Sequence, residues 1–197
     1  VQTGIWRNAP GSSFNWLIYQ DPTPTPDTGP DNGVGGTGHY AYIETTGFQC
    51  ANGSRALLQS GCFQLDKKNS DTCHLSFYYH MYGTSIGTLR LEVSVDGGLS
   101  WQSLWERKGN QGNQWIRESL SLRKYNNGTV MQFRFVGIKG NGSLGDIGLD
   151  HIALHGSTYL GWPEQPYYAD ADLDGYGSAT QFIYSCAANP PTGYVRN

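Results

Sequence analysis

Charge is scarce in this chain. Only 15% of its 197 residues are Asp, Glu, Lys or Arg, against about 25% in an ordinary soluble domain. With 13 basic against 16 acidic residues, and no run of Lys or Arg, the net charge of −3 excludes nucleic acid and an anionic membrane surface as favoured partners. No apolar run is longer than four residues, as in Trp16-Leu17-Ile18-Tyr19. About 20 are needed to cross a bilayer, so membrane insertion is excluded as well. The four cysteines, Cys50, Cys62, Cys73 and Cys186, form no C-x-x-C pair, which leaves zinc and thioredoxin-like chemistry without support. There is no G-x-S-x-G elbow, no H-E-x-x-H, and GIKGNGSLG lacks the Gly-Lys-Ser/Thr ending of a phosphate loop. The five histidines, His39, His74, His80, His151 and His155, fall on strand alternations rather than in ligand spacing. Paired carboxylates such as Glu92 and Glu118 could in principle face one cleft as acid and base, which the sequence does not show. A non-catalytic protein is expected.

What the chain has in abundance is glycine (27) and aromatic residues (6 Trp, 13 Tyr, 7 Phe). That composition suits strands and turns, not helices. Gln20 to Gly38 is a Pro- and Gly-rich surface loop. Period-2 alternation then recurs over His39 to Glu44, His74 to Tyr82, Thr88 to Val95, Trp115 to Leu122, Met131 to Ile138 and Ile147 to Leu154. Short strands joined by Gly-rich connections predict an all-β, antiparallel two-sheet jelly-roll sandwich. Its core is expected from Leu75, Phe77, Tyr79, Met81, Leu89, Leu91, Val93, Val95, Phe133, Phe135, Ile152 and Leu154. Composition shifts near Ser157, which sets a domain over 1–157 and an irregular tail over 158–197. The chain opens on Val1 with neither Met nor an apolar leader, so it reads as an excised piece of a larger secreted parent. An even cysteine count suits an oxidising compartment. Cys50 and Cys62 could close a local hairpin, although all three connectivities stay open. Sequons stand at Asn52, Asn127 and Asn141.

The tail carries Asp170-Ala-Asp172-Leu-Asp174-Gly-Tyr176-Gly. Carboxylates at i, i+2 and i+4 before a glycine can curl around one hard cation, with the Tyr176 carbonyl as a further ligand, so Ca²⁺ is the expected cofactor. Position 12 of such a loop is Gln181, which cannot supply a bidentate carboxylate. The motif resembles thrombospondin type 3 repeats and the metal-binding tails of secreted bacterial proteins. A second motif, Ser94-x-Asp96-x-Gly98-x-Ser100-Trp101, resembles the Asp-box of sialidases. A single box in so short a chain reads as a hairpin device.

The order of GTGHYAYIE, SFYYHMYG, GNQGNQW and GDIGLDHI between Gly4 and His155 resembles the MAM domain (meprin, A5 antigen, receptor phosphatase mu), in a bacterial form. The resemblance implies a jelly roll, no catalysis, and a role in cell adhesion or as a module beside other domains of the same parent chain. It also implies that Cys186 replaces, from the tail, a missing closing cysteine opposite Cys73. A structural cation would sit where the first loop meets the last strand, at Asp31, the backbone near Gly38, and Asp150.

For ligand binding, Tyr78, His80 and Tyr82 alternate away from Phe77, and Arg90, Glu92, Arg117 and Arg134 share that outward phase. Aromatic rings beside planar donors suit a polysaccharide. The reading is thus an extracellular, calcium-stabilised module that binds polysaccharide. The alternative is an adhesion or spacer module that binds an extracellular protein and no small ligand.

Overall fold

In a computed structural model the chain is described over residues 2–47, 51–66, 73–125, 128–163, 166–187 and 189–197. All regular structure among them is β apart from one 3-10 turn, Val34–Gly36. The sandwich is made of β1 (Gln2–Thr3), β2 (Trp6–Asn8), β3 (Leu17–Tyr19), β4 (Tyr40–Ile43), β5 (Arg55–Ser60), β6 (Cys62–Leu65) and β7 (His74–Met81). It continues through β8 (Thr88–Ser94), β9 (Gln102–Lys108), β10 (Gly112–Ser121), β11 (Val130–Ile138), β12 (Ile147–His155) and β13 (Ser157–Gly161). One antiparallel sheet runs β1-β2-β5-β11-β8-β9; β6 follows β5 along the same edge of β11, past a break at Gly61, and carries β13. The other sheet runs β10-β7-β12-β4-β3. This is the predicted two-sheet jelly roll.

The inner faces meet where the alternation places them. Phe77 and Tyr79 of β7 lie against Trp105 of β9 at ring separations of 5.1 and 5.0 Å, and Phe77 against Phe135 of β11 at 4.9 Å. Trp16, fully buried, donates its indole N–H to the Ala56 carbonyl at 3.1 Å. Gly137 gives it room: a Cβ there would stand 2.8 Å from Ile43 and 3.1 Å from Trp16.

Three core expectations fail, for two local reasons. β8 ends at Ser94, so Val95 lies beyond the sheet and is 45% exposed. In β12 the pairing with β7 slips between Asp150 and Ala153, and His151 takes φ +45°. That bulge changes the side-chain phase, so Ile152 and Leu154 are only partly buried.

The tail read as irregular has a small antiparallel sheet: β14 (Pro166–Ala169) between β15 (Phe182–Tyr184) and β16 (Tyr194–Val195). Runs of two to four residues are too short to register as periodic. A disulfide joins Cys62 to Cys186 and fastens this sheet to the sandwich. It replaces both the Cys50–Cys62 and the Cys73–Cys186 expectations, because β13 runs back along β6 with Gly161 opposite Cys62 and delivers the tail there. Cys50 lies outside the described residues; Cys73 is buried against Gly156. The tail also seats on the 94–101 hairpin. Gly97, at φ +78°, approaches Ser185 so closely that a Cβ would be 2.0 Å from its hydroxyl. Sequon residues Asn52 and Asn141 are exposed, and Asn127 lies outside the described residues.

Candidate functional site

The tail acids converge as their spacing requires. Asp170, Asp172 and Asp174 each offer an oxygen within 4.8 Å of the others. Asp170 is fixed at the end of β14, where its amide bonds the Gly193 carbonyl at 2.9 Å. Leu173 at φ +62° turns the chain back toward it. Gly175 N donates to Asp170 Oδ2 at 3.2 Å and Tyr176 N to Asp174 Oδ1 at 2.8 Å. Asp170 Oδ1 is buried and meets no donor. A buried carboxylate oxygen without a partner is costly, and the three oxygens together offer the donor set that a divalent cation would require.

The first-loop set divides. Asp150 Oδ2 accepts from Val34 N at 2.8 Å and Oδ1 from His151 N at 2.6 Å. A Cβ on Gly33 would stand 2.5 Å from the Thr37 carbonyl, 3.1 Å from that of Gly38 and 3.2 Å from Asp150 Oδ2, so Gly38 and Asp150 face one small volume. Asp31 is exposed, and its charge acts on His80.

Sequence reasoning missed Asp146. It is fully buried; Oδ1 accepts from Thr45 N at 2.9 Å and Thr45 Oγ1 at 3.0 Å, while Oδ2 has no donor. Burial above all, and the nearby Glu44 charge, push its carboxyl up to about 7, against the pull of the Thr45 hydrogen bonds. Glu44 Oε2 is likewise buried without a donor. The available signal was GDIGLD, in which Asp146 falls at a strand entry opposite Glu44 of YIETT.

The expected ligand face is not one face. Tyr78, His80 and Arg117 belong to the β10-β7-β12-β4-β3 sheet, whereas Arg90, Glu92 and Arg134 lie on β8 and β11 of the other. A shared alternation phase cannot distinguish two sheets that turn their outer sides in opposite directions. On β7, His80 is buried beneath the first loop, its Nε2 3.0 Å from Asn113 Oδ1 and its ring 5.4 Å from that of Trp115. Burial lowers its pKa, partly offset by Asn113 and the Asp31 charge. Tyr82, half-buried just past β7, turns its carbonyl to Thr28 Oγ1 at 2.9 Å. Tyr78 stays half-buried on the open part of this face, edge-on to the exposed His151 at 5.9 Å and opposite the exposed Arg117. On the far sheet, Arg134 Nε reaches Glu92 Oε2 at 2.6 Å, Arg90 bridges Glu92 at 3.3 Å and Glu106 at 2.6 Å, and Arg134 lies 4.2 Å over the Trp101 ring. Glu106 raises the Arg90 pKa. These ion pairs engage Arg90, Glu92, Glu106 and Arg134 with one another.

Among the described residues no helix is long and apolar enough to cross a membrane. Against known proteins, the chain is 36% identical over 149 residues to rat MAM domain-containing glycosylphosphatidylinositol anchor protein 1, covering 72% of this chain and 15% of that protein. To zebrafish neuropilin-1a it is 34% identical over 160 residues, 76% of this chain and 17% of the relative. The chain thus spans less than a fifth of these relatives. The structure also resembles the K1 cleaved adhesin domain of Lys-gingipain from Porphyromonas gingivalis W83, with a TM-score of 0.50 at 16% identity over 79% of this chain and 91% of that one. The family model for the MAM domain, meprin/A5/mu, matches residues 2–158, and the chain belongs to that family.

Proposed function

We propose that this is a non-catalytic, extracellular binding module of a larger secreted protein, ordered by Ca²⁺, whose ligand is a polysaccharide. The calcium reading rests on one observation: Asp170 Oδ1, buried and without a donor, among three carboxylates that converge within 4.8 Å. Asp170, Asp172 and Asp174 would hold the ion, with the Tyr176 carbonyl in reach of the same turn. A bound ion neutralises the cluster and pins the β14 turn. Its thrombospondin type 3-like pattern and the bacterial character of the MAM domain belong to this proposal. Asp31, the backbone near Gly38 and Asp150 are the second proposed set, with less support because Asp150 already accepts two amides.

The extracellular setting is supported by the Cys62–Cys186 disulfide. The polysaccharide reading is supported by the part-exposed Tyr78, Arg117 and His151 on one open sheet face: flat rings and a fork of donors beside solvent. The adhesion or spacer alternative is favoured by the Arg90, Glu92, Glu106 and Arg134 network, whose charged groups already engage one another. A melting scan with and without chelator, and a polysaccharide panel on affinity gels, test both parts. Calcium should raise Tm, because a ligand bound only by the native state stabilises it. Retardation on a polysaccharide, weakened by Tyr78→Ala at unchanged Tm, supports the glycan reading. Migration unchanged across a broad panel supports the spacer reading.

A further inference from the structure

Where the tail sheet meets the β13 edge of the sandwich, a groove of about 560 Å³ is lined by Gly4, Arg7, Tyr159, Trp162, Pro163 and Tyr184. Nothing in the MAM fold by itself builds it, since Trp162, Pro163 and Tyr184 lie beyond residue 158. Its floor is fixed: Trp162 Nε1 donates to the Gly4 carbonyl at 2.8 Å and Tyr159 OH to the same oxygen at 3.3 Å. Its far wall is Tyr184 of β15, which leaves 51% of its surface in solvent beside the equally open Phe182, 5.8 Å away. Exposed rings on a strand held by a disulfide two residues on, at Cys186, form a rigid apolar platform.

Arg7 gives the groove its selectivity. Its guanidinium lies 4.5 Å over the Trp162 ring, which fixes the plane of the fork. Among the described residues no carboxylate pairs with it, and its Nε is buried without an acceptor. Among the described residues, Arg90 and Arg134 are paired with acids of their own sheet and Arg107 with Glu118 of the opposite one, whereas Arg7 joins a ring contact to an unmet buried donor at the groove wall. A planar anion meets that fork with two parallel hydrogen bonds. A volume of this size accepts a few sugar rings, and the C–H face of a pyranose matches Tyr184 and Tyr159.

We propose that this groove, shared by sandwich and tail, binds a carboxylated saccharide, a hexuronate unit, with its carboxylate on Arg7 and its ring against Tyr184. This rests on the polysaccharide reading above and adds to it a charge-selective subsite apart from the Tyr78 face.

The test is calorimetric titration of the whole chain with galacturonate trisaccharide, its methyl ester, and poly-glutamate, at low and physiological salt. The free acid should bind, and the ester, which keeps the rings but not the charge, should bind roughly tenfold or more weakly. Arg7→Gln and Tyr184→Ala should each lose about tenfold with Tm unchanged, while Arg7→Lys, charged but without a fork, should recover only part. Equal binding of acid and ester, or binding indifferent to both substitutions, overturns the site while leaving the polysaccharide reading standing. Equal binding of poly-glutamate overturns the saccharide assignment. No retention of any saccharide, here or on the affinity panel, overturns site and reading together. Should Arg7→Gln lower Tm, Tyr184→Ala decides, since a half-exposed ring can be removed without opening a core.

Discussion

At the scale of single residues, two carboxylates carry most of the consequence. Asp146 has a folded pKa raised to about 7 by burial, while an unfolded Asp titrates near 4. A raised acid favours folding only while protonated. Its contribution is therefore complete below about pH 4 and is lost as pH climbs through about 7; three units correspond to something on the order of 4 kcal/mol. Asp146→Asn keeps an oxygen for the Thr45 donors and removes the charge. In chelator, the stability of the variant relative to the parent should grow between pH 4 and 7 and then level off, measured by urea unfolding at stepped pH. A difference that stays flat across that window would mean that Asp146 Oδ2 finds a partner. Asp170 behaves differently, because its neighbours Asp172 and Asp174 add like charge. Asp170→Asn should abolish the calcium-induced rise in Tm and, without calcium, change Tm little or raise it. Differential scanning calorimetry with calcium and with EDTA reads both.

At the scale of elements, the 94–101 hairpin explains how one motif serves two neighbours. Burial alone would raise the Asp96 pKa, but hydrogen bonds from the Ser100 hydroxyl and amide and from Ser94 Oγ, the last at 2.7 Å, hold it below the usual range. Trp101 closes the turn with its N–H on Gly98 O at 3.1 Å and takes Arg134 on its face. Asp96→Ala strands these donors at a partly exposed turn and should cost about 1 to 3 kcal/mol in urea unfolding. The fluorescence of Trp101 should report the loosened loop. This hairpin also marks what sequence could and could not disclose. Six strands were legible because large apolar or aromatic residues recur at every second position of their sequence, even where, as in β4, both faces are buried. β5 was not, since it reads buried, buried, buried along Ala56 to Leu58: its outer side is covered too, and alternation disappears. The β12 bulge was invisible because nothing in DHIAL requires His151 to take positive φ; the clasp of Asp150 on the first loop imposes it. The tail acids were legible because their spacing alone defines a turn. The split of Tyr78 from Arg90, Glu92 and Arg134 was not, because period 2 assigns a side and not a sheet.

At the scale of the whole molecule, the question is why the tail should be held so firmly to a fold that is complete without it. The disulfide spans 124 residues, and closing so long a loop in the unfolded chain costs entropy worth about 4 to 5 kcal/mol in the loop-closure model, of which measured bridges return 2 to 4. Yet the bond crosses between two separately hydrogen-bonded units, the β6–β13 edge and the β14 sheet, so its removal need not open the sandwich core. Cys62→Ser with Cys186→Ser should therefore lower global stability by about 2 to 4 kcal/mol and, under native conditions, release the tail first. Amide exchange separates the two effects: protection at β14 to β16 should fall by more than protection at β7 and β11, whose side chains lie in the buried core. If both fall equally, sandwich and tail unfold as one cooperative body, and the Gly97 to Ser185 contact, not the disulfide, is what joins them. Gly97→Ala then becomes the sharper probe, because a methyl group at φ +78° against the Ser185 hydroxyl pushes the tail off the hairpin with the disulfide intact.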